Sequence, residues 1–407
     1  MTPARKPSGS SSRTTTPQAV QKGKVLRALM KRNGVIIAAV ILGGFFGWFA
    51  RSSVILREGS FAANDIATVR ELLKASYDGD IDQSKQAEGA IRGLVASLGD
   101  PYTTYMDVAE AKDLADDLKG ELSGIGVEVG IKNNRLTVIA PIDGTPAAKA
   151  GIRAGDVIAL IDGKDSSQMT LDEAVKNIRG DKGTTVNLTI IRGNEKAREV
   201  SIVRDTITVS SVSQEIKDGN VGYIRLRRFG DDTDLAFRNA TADLASKGVK
   251  SVILDLRDNP GGYLDSAVTV ASEFVGTGTI VEERSRHFSE PKTMTANPGG
   301  NLTKVKVIVL INQGSASASE IAAGALKDNG RATLVGERSF GKGSVQEVRK
   351  LANGAQLKVT VAHWYTPNGV NISKEGIAPD VEVKFTNDDY NANRDPQLEK
   401  ALDLARQ

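Results

Sequence analysis

Between about Val209 and Lys384, short β-branched and apolar runs alternate with stretches of helical period. That alternation restricts the fold more than any other feature of the chain. Val221–Leu226 precedes a helical stretch at Thr233–Ala245, Val252–Leu256 precedes Tyr263–Phe274, and Val305–Ile311 precedes Ser319–Asp328, with further strands at Ala332–Val335 and Gln356–Val361. The pattern predicts an α/β core with helices packed on a sheet. From Glu121 to Asp205 the period shortens to strands at Val127–Ile131, Arg135–Ile139, Val157–Ile161, Thr185–Ile191 and Glu199–Val203. One helix is expected there, at Leu171–Ile178, opened by Thr170 with Glu173 three residues on as a capping box. This segment of about 85 residues has its own glycine turns and reads as a small inserted domain.

The region before the insert, from about Phe61 to Lys119, reads as helical. Ile66, Val69, Leu72 and Leu73 recur at three- and four-residue spacing, as do Ile91, Leu94, Val95 and Leu98. Pro101 interrupts the pattern within Leu98-Gly-Asp-Pro-Tyr-Thr103. At the other end a polar linker, Asn387–Asp395, leads to a helix at Gln397–Arg406.

Gly34 to Ala50 is an unbroken run of 17 apolar or glycine residues. As a helix it would reach about 25 Å, enough for a short membrane span that Arg51 could extend by snorkelling. Residues 1–33 carry eight Lys or Arg and no acid, so the positive-inside rule places that tail in the cytoplasm and the rest outside. A cleaved signal peptide is the alternative, but no A-x-A-like site follows the run. Subtracting those eight charges from the net +3 leaves the remainder at −5, which excludes a nucleic-acid binder by composition. The absence of cysteine removes disulfides, thiolate metal sites and a cysteine nucleophile, and two histidines argue against a His-rich zinc site, so no metal or cofactor is expected. The expected organisation is a disordered basic tail (1–33), a transmembrane anchor (34–56), a helical region (60–119), the insert (120–206), the core (207–385) and a C-terminal linker and helix (386–407).

Three core segments suggest chemistry. Gly314-Ser-Ala-Ser-Ala-Ser-Glu320 follows a buried strand and opens a helix, where free N–H groups and the helix dipole stabilise an oxyanion. Taken alone it is also an ordinary serine-rich N-cap. Ser339-Phe-Gly-Lys-Gly-Ser-Val-Gln346 holds Lys342 between glycines, and a desolvated lysine can act as a base. The same stretch half-matches a phosphate loop, Gly336-x4-Gly341-Lys342, but Gly343 stands where Ser or Thr should hold magnesium. Leu254-Asp-Leu-Arg-Asp-Asn-Pro-Gly-Gly262 is a strand running into a glycine turn. Neither His287, in a polar loop, nor His363, on a strand near the core, lies in a triad context. Glu320 reads as a first-turn charge of its helix.

These motifs, in this order, resemble the carboxy-terminal processing (tail-specific) proteases. The resemblance covers most of the chain after the apolar run, including Leu98–Thr103. It implies a ClpP/crotonase-like α/β protease core and a Ser–Lys dyad whose lysine lies 25 residues after the serine, which selects Ser317 over Ser315 and Ser319 as partner of Lys342. It further implies Gln346 as the residue that orients the lysine, and an oxyanion hole formed by the Ala318 amide and a turn glycine, Gly262 in preference to Gly261. The insert resembles a PDZ domain. Gly124, Ile125, Gly126 and Val127 would then receive a peptide's terminal carboxylate and strand, and Arg179 would couple peptide occupancy to the active site. Expected partners are protein C-termini outside the cytoplasm, the membrane, a homodimer or higher oligomer, and an activating adaptor. A PDZ adaptor on a silent core and a nucleotide-dependent enzyme are the rival readings.

Overall fold

The computed structural model describes residues 64–407 apart from Asp143. The expected tail (1–33) and anchor (34–56) lie outside the described residues. Among the described residues no helix is long and apolar enough to cross a membrane.

The chain divides into two units, Met1–Glu88 and Gly89–Gln407. In the first, residues 64–76 are helical as the spacing predicts, but the apolar stripe of Ile66, Val69, Leu72 and Leu73 is exposed.

In the second unit, the insert is a six-stranded sheet covered by the helix Leu171–Ile178. Thr170 caps that helix reciprocally with Glu173: the Glu173 N–H donates to Thr170 Oγ1 and the Thr170 N–H to the Glu173 carboxylate. Ile125, Leu136, Ile158, Val186 and Leu188 form its separate core. The entering strand Glu121–Gly124 pairs antiparallel with the leaving strand Asp205–Thr208, so the insert projects from a two-stranded stem.

The core is built on a second six-stranded sheet, ordered Val212–Lys217, Val221–Leu226, Ser251–Asp255, Lys306–Ile311, Ala332–Gly336, Val381–Glu382. The first pair is antiparallel and the others are parallel. Its central strands read as continuous apolar runs because both faces are covered. Val252, Leu254, Val307 and Val309 face the helices Thr233–Ser246, Leu264–Ser272 and Ala318–Asp328. Ile253, Ile308 and Leu310, one residue out of phase, face the C-terminal helix Pro396–Arg406. Each such residue fully removed from water stabilises the fold by roughly 2 kcal/mol. A further sheet joins Thr104–Met106, Gln356–Tyr365, Thr279–Arg284 and Lys292–Thr295, with Ser344–Lys350 on Gln356–Tyr365. The expected linker Asn387–Asp395 contains a short helix, Asn387–Asn391, capped by Thr386.

Candidate active site

Three neighbouring parallel strands end at the same edge of the core sheet. In register, Asp255 pairs with Leu310 and Ile311 with Gly336. The loops that follow them carry the glycine turn, the serine segment and Lys342. Parallel pairing thus gathers, at the carboxyl ends of the strands, motifs separated by dozens of residues. Ser317, Ala318, Gly261, Gly262, Lys342 and Gln346 all line one cleft of about 720 Å³.

Hydrogen bonding separates the three serines. Ser315 Oγ donates to the Leu256 carbonyl and Ser319 Oγ to the Asn259 carbonyl, each at 2.8 Å, and both residues are fully buried. They tie the serine loop to the glycine turn. Ser317 keeps its hydroxyl for the cleft and holds an unusual backbone for a non-glycine residue, φ 55° and ψ −114°, at the N-cap of Ala318–Asp328. A left-handed serine costs on the order of 1–3 kcal/mol, which the surrounding bonds must offset.

The candidate oxyanion donors are placed by the same ties. Asn259 is buried; its Nδ2 donates to the Leu226 carbonyl and its Oδ1 accepts the Gly261 N–H. With the Gly261 amide spent, the N–H groups of Gly262 and Ala318 remain without a protein acceptor among the described residues. The turn lies hard against Ser317: a Cβ at Gly261 (φ 99°) would fall 2.9 Å from both the Ala318 nitrogen and Ser317 Cβ. Arg257 anchors this turn from behind, bonded to buried Asp255 and to Asp395 next to the C-terminal helix. Burial opposes ionisation of Asp255, but Arg257 and the Tyr223 hydroxyl hold its carboxyl below the usual range.

Glu320 has a larger role than a first-turn charge. It is fully buried and its carboxylate accepts four donors: Ser317 N–H (2.8 Å), Ser339 Oγ (2.6 Å), Gly341 N–H (2.7 Å) and Lys342 N–H (3.0 Å). One side chain therefore fixes the serine loop relative to the lysine loop. Burial pushes its carboxyl up, against the pull of those donors. Glu320 also disposes of the phosphate-loop reading. The amides of Gly341 and Lys342, which would cradle a phosphate, already serve this internal anion, and a strand, Ser344–Lys350, follows where a helix is required. From the sequence, only its position three residues after Ser317 and the absence of a lysine or arginine nearby on the helix face hinted at an inward-facing acid.

Lys342 is partly buried. Its carbonyl accepts from Trp364 Nε1 at 2.9 Å, and its Nζ lies 5.4 Å from the centroid of the Tyr102 ring. Burial, with the nearby Lys358 cation, lowers its pKa, while Glu320 and Asp100 oppose the shift. Gln346 is in the same cleft but its Nε2 donates to Ser344 Oγ (2.9 Å) and Thr360 Oγ1 (3.2 Å). No hydrogen bond joins Lys342 Nζ to Ser317 Oγ or to Gln346 among the described residues. His287 is exposed in a loop, and His363 is on the strand Gln356–Tyr365 but exposed, not near the core as expected.

A second cleft, of about 610 Å³, is lined by Gly124, Ile125, Gly126, Val127 and Arg179, with Val175 and Ile178 of the insert's helix opposite. The carbonyls of Ile125 and Gly126 are bonded to Ala147 and Ile142, but their N–H groups have no protein acceptor among the described residues. Leu122, Val209 and Arg227 line both clefts, so the two are contiguous.

A serine at a helix N-terminus that lines one cleft with a desolvated lysine and two unspent amides suits a serine-type peptidase. Comparison with known proteins agrees. Residues 220–383 match the model of peptidase family S41, residues 113–191 that of the PDZ domain, and residues 56–110 that of the activating protease CtpB N-terminal domain. A carboxy-terminal-processing protease of Bartonella bacilliformis is 43% identical, over 83% of this chain and 81% of its own length. The carboxy-terminal processing protease CtpA of Bacillus subtilis is 38% identical over 86% of this chain and 76% of its own. The solved photosystem II D1 C-terminal processing protease is similar, with a TM-score of 0.51 at 32% identity, over 78% of this chain and 86% of that one. A putative S41 protease structure from Bacteroides fragilis, at 18% identity and a TM-score of 0.60, over 81% of this chain and 92% of that one, shares the fold. The chain belongs to the carboxy-terminal processing proteases of peptidase family S41.

Proposed function

We propose that this protein is a serine endopeptidase working through a Ser317–Lys342 dyad on the C-terminal tails of extracytoplasmic proteins. The observation that carries the reading is that, of three clustered serines, Ser317 alone keeps its hydroxyl for the cleft that Lys342 shares. Neutral Lys342 takes the Ser317 proton as Oγ attacks the scissile carbonyl. The oxyanion forms against the Ala318 and Gly262 amides. The ammonium then protonates the departing amine, leaving an acyl-enzyme; neutral Lys342 next takes a proton from the attacking water and returns it to Ser317 Oγ as the carboxylic acid leaves. Gln346 orients the lysine once its Nζ turns from Tyr102 toward the serine.

The open amides of Ile125 and Gly126, with Gly124 and Val127 alongside, suit a terminal carboxylate, and the apolar wall of Val175 and Ile178 suits an apolar last side chain. A peptide held there has a continuous path to Ser317. Cleavage of a peptide with an apolar C-terminus by the full chain tests the reading, with Ser317→Ala as the control. A control that still cleaves, or a parent that binds without turnover, would sink it. Amidating the peptide's terminus should raise KM about tenfold or more, by removing charge-assisted bonds to the insert; an unchanged KM would reject carboxylate capture.

Arg179 lines the peptide cleft, and its charge acts on Asp117 in the catalytic cleft, which supports its coupling role. Arg179→Ala should then weaken cleavage more than peptide affinity, and unchanged values of both would reject the role. The basic flank and the apolar run support a membrane anchor at 34–56 with the catalytic part outside the cytoplasm. Digestion of intact cells by an external protease checks this topology. The match to an activating protease's N-terminal domain supports regulation by an adaptor or by self-association.

A further inference from the structure

The Leu98–Thr103 motif has no part in the chemistry assigned so far, yet it is bonded into the lysine's surroundings. Asp100 accepts from Tyr102 N–H (3.0 Å) and Thr103 Oγ1 (2.6 Å) within its own turn, and from Thr360 Oγ1 (2.6 Å) on the strand Gln356–Tyr365. The Thr360 backbone N–H donates in turn to Thr103 Oγ1 at 3.0 Å. Next to this clamp, Thr104–Met106 pairs antiparallel with residues 356–358 of the same strand.

The direction of these bonds matters. An ionised carboxylate only accepts, so the Thr360 hydroxyl must spend its proton on Asp100. Burial works to raise the Asp100 pKa, but its hydroxyl and amide donors hold it below the usual value, keeping the carboxylate charged. The Thr360 oxygen can then only accept, and the group facing it is the Gln346 side chain at 3.2 Å. The Gln346 amide must therefore present its NH2 to Thr360 and Ser344, which leaves its carbonyl oxygen for Lys342. A side-chain amide has nearly the same shape either way round, so without this relay an N–H could face the amine instead. The Tyr102 ring backs the same amine at 5.4 Å.

We infer that Asp100 and Thr360 are positioning residues for the general base: they set, through Gln346, which amide atom faces Lys342. This rests on the dyad reading above. The test compares Thr360→Val, Thr360→Ser, Gln346→Ala and the Thr360→Val/Gln346→Ala double variant in the full chain, on a peptide with an apolar C-terminus. Valine is nearly isosteric and keeps the backbone bond to Thr103, and thermal unfolding confirms the folded state. Thr360→Val should lower kcat about tenfold with KM little changed, the rate equivalent of one hydrogen bond. Thr360→Ser should restore it. The double variant should be no slower than Gln346→Ala alone, because Thr360 acts through Gln346. Wild-type kcat in Thr360→Val, no rescue by serine, or additive losses in the double variant would each overturn the relay while inactive Ser317→Ala and Lys342→Ala proteins keep the dyad. A Lys342→Ala protein that still cleaves would overturn both.

Discussion

Lys342→Ala and Ser317→Ala should each lower kcat by on the order of 10⁴-fold or more, with the folded state retained. Both side chains line the cleft, and neither closes a buried hydrogen bond whose loss would unfold the core. Their losses should also be strongly non-additive, since either one ends the same proton transfer. The pH profile identifies the base. Only neutral Lys342 accepts a proton, so kcat/KM should rise with pH through the lysine's pKa. Burial and the Lys358 cation lower that pKa, while Glu320 and Asp100 oppose them, so the midpoint should fall below the ordinary 10.5. Lys358→Met removes a cation that favours the neutral amine and should move the midpoint upward. Activity in Lys342→Ala, or a midpoint indifferent to Lys358, would contradict the assignment. The measurement is initial-rate cleavage across pH, with stability followed in parallel.

Glu320→Ala should destabilise the protein by about 3–5 kcal/mol and abolish cleavage, although Glu320 touches no substrate in the proposed mechanism. The substitution strands four donors that are now satisfied by one buried carboxylate, from Ser317, Ser339, Gly341 and Lys342. It also removes the only side chain among the described residues that bonds both the Ser317 and the Lys342 amides. Glu320→Gln should rescue poorly. In its less costly orientation the NH2 group replaces Oε1, where the Ser339 hydroxyl can turn to accept but the Gly341 N–H meets a second donor; the other orientation sets it against the N–H groups of both Ser317 and Lys342. Chemical denaturation monitors the first effect and peptide cleavage the second. A Glu320→Ala protein of normal stability and activity would show that the serine and lysine loops are held by other means.

Much of the fold was legible because local chemistry and tertiary structure agree. The strands Val157–Ile161, Thr185–Ile191 and Val221–Leu226 and the helix Leu171–Ile178 occur at the boundaries expected from periodicity and the Thr170 cap. Other elements were not legible. Val212–Lys217 exposes most of its side chains at a sheet edge, and Lys292–Thr295 is a short polar strand, so neither has an apolar period to read. The helix 64–76 was correctly expected, but its apolar stripe is exposed, because a period reports amphipathicity and not what covers it.

For the candidate site, local sequence supplied residue types and spacings: a serine cluster before a helix, a lysine between glycines, a glycine turn after a strand. Those are short-range properties, set by backbone propensity and chain direction. Which serine is left for chemistry depends on the carbonyls of Leu256 and Asn259, which occupy Ser315 and Ser319. Which glycine keeps its amide depends on the buried side chain of Asn259. That Glu320 turns inward, and that Asp100 reaches Thr360 some 260 residues along the chain, depends on parallel register and sheet pairing. Hydrogen-bond partners far apart in sequence are selected by packing of the whole core, so no local pattern encodes them, and only the folded chain decides which of the candidate groups can react.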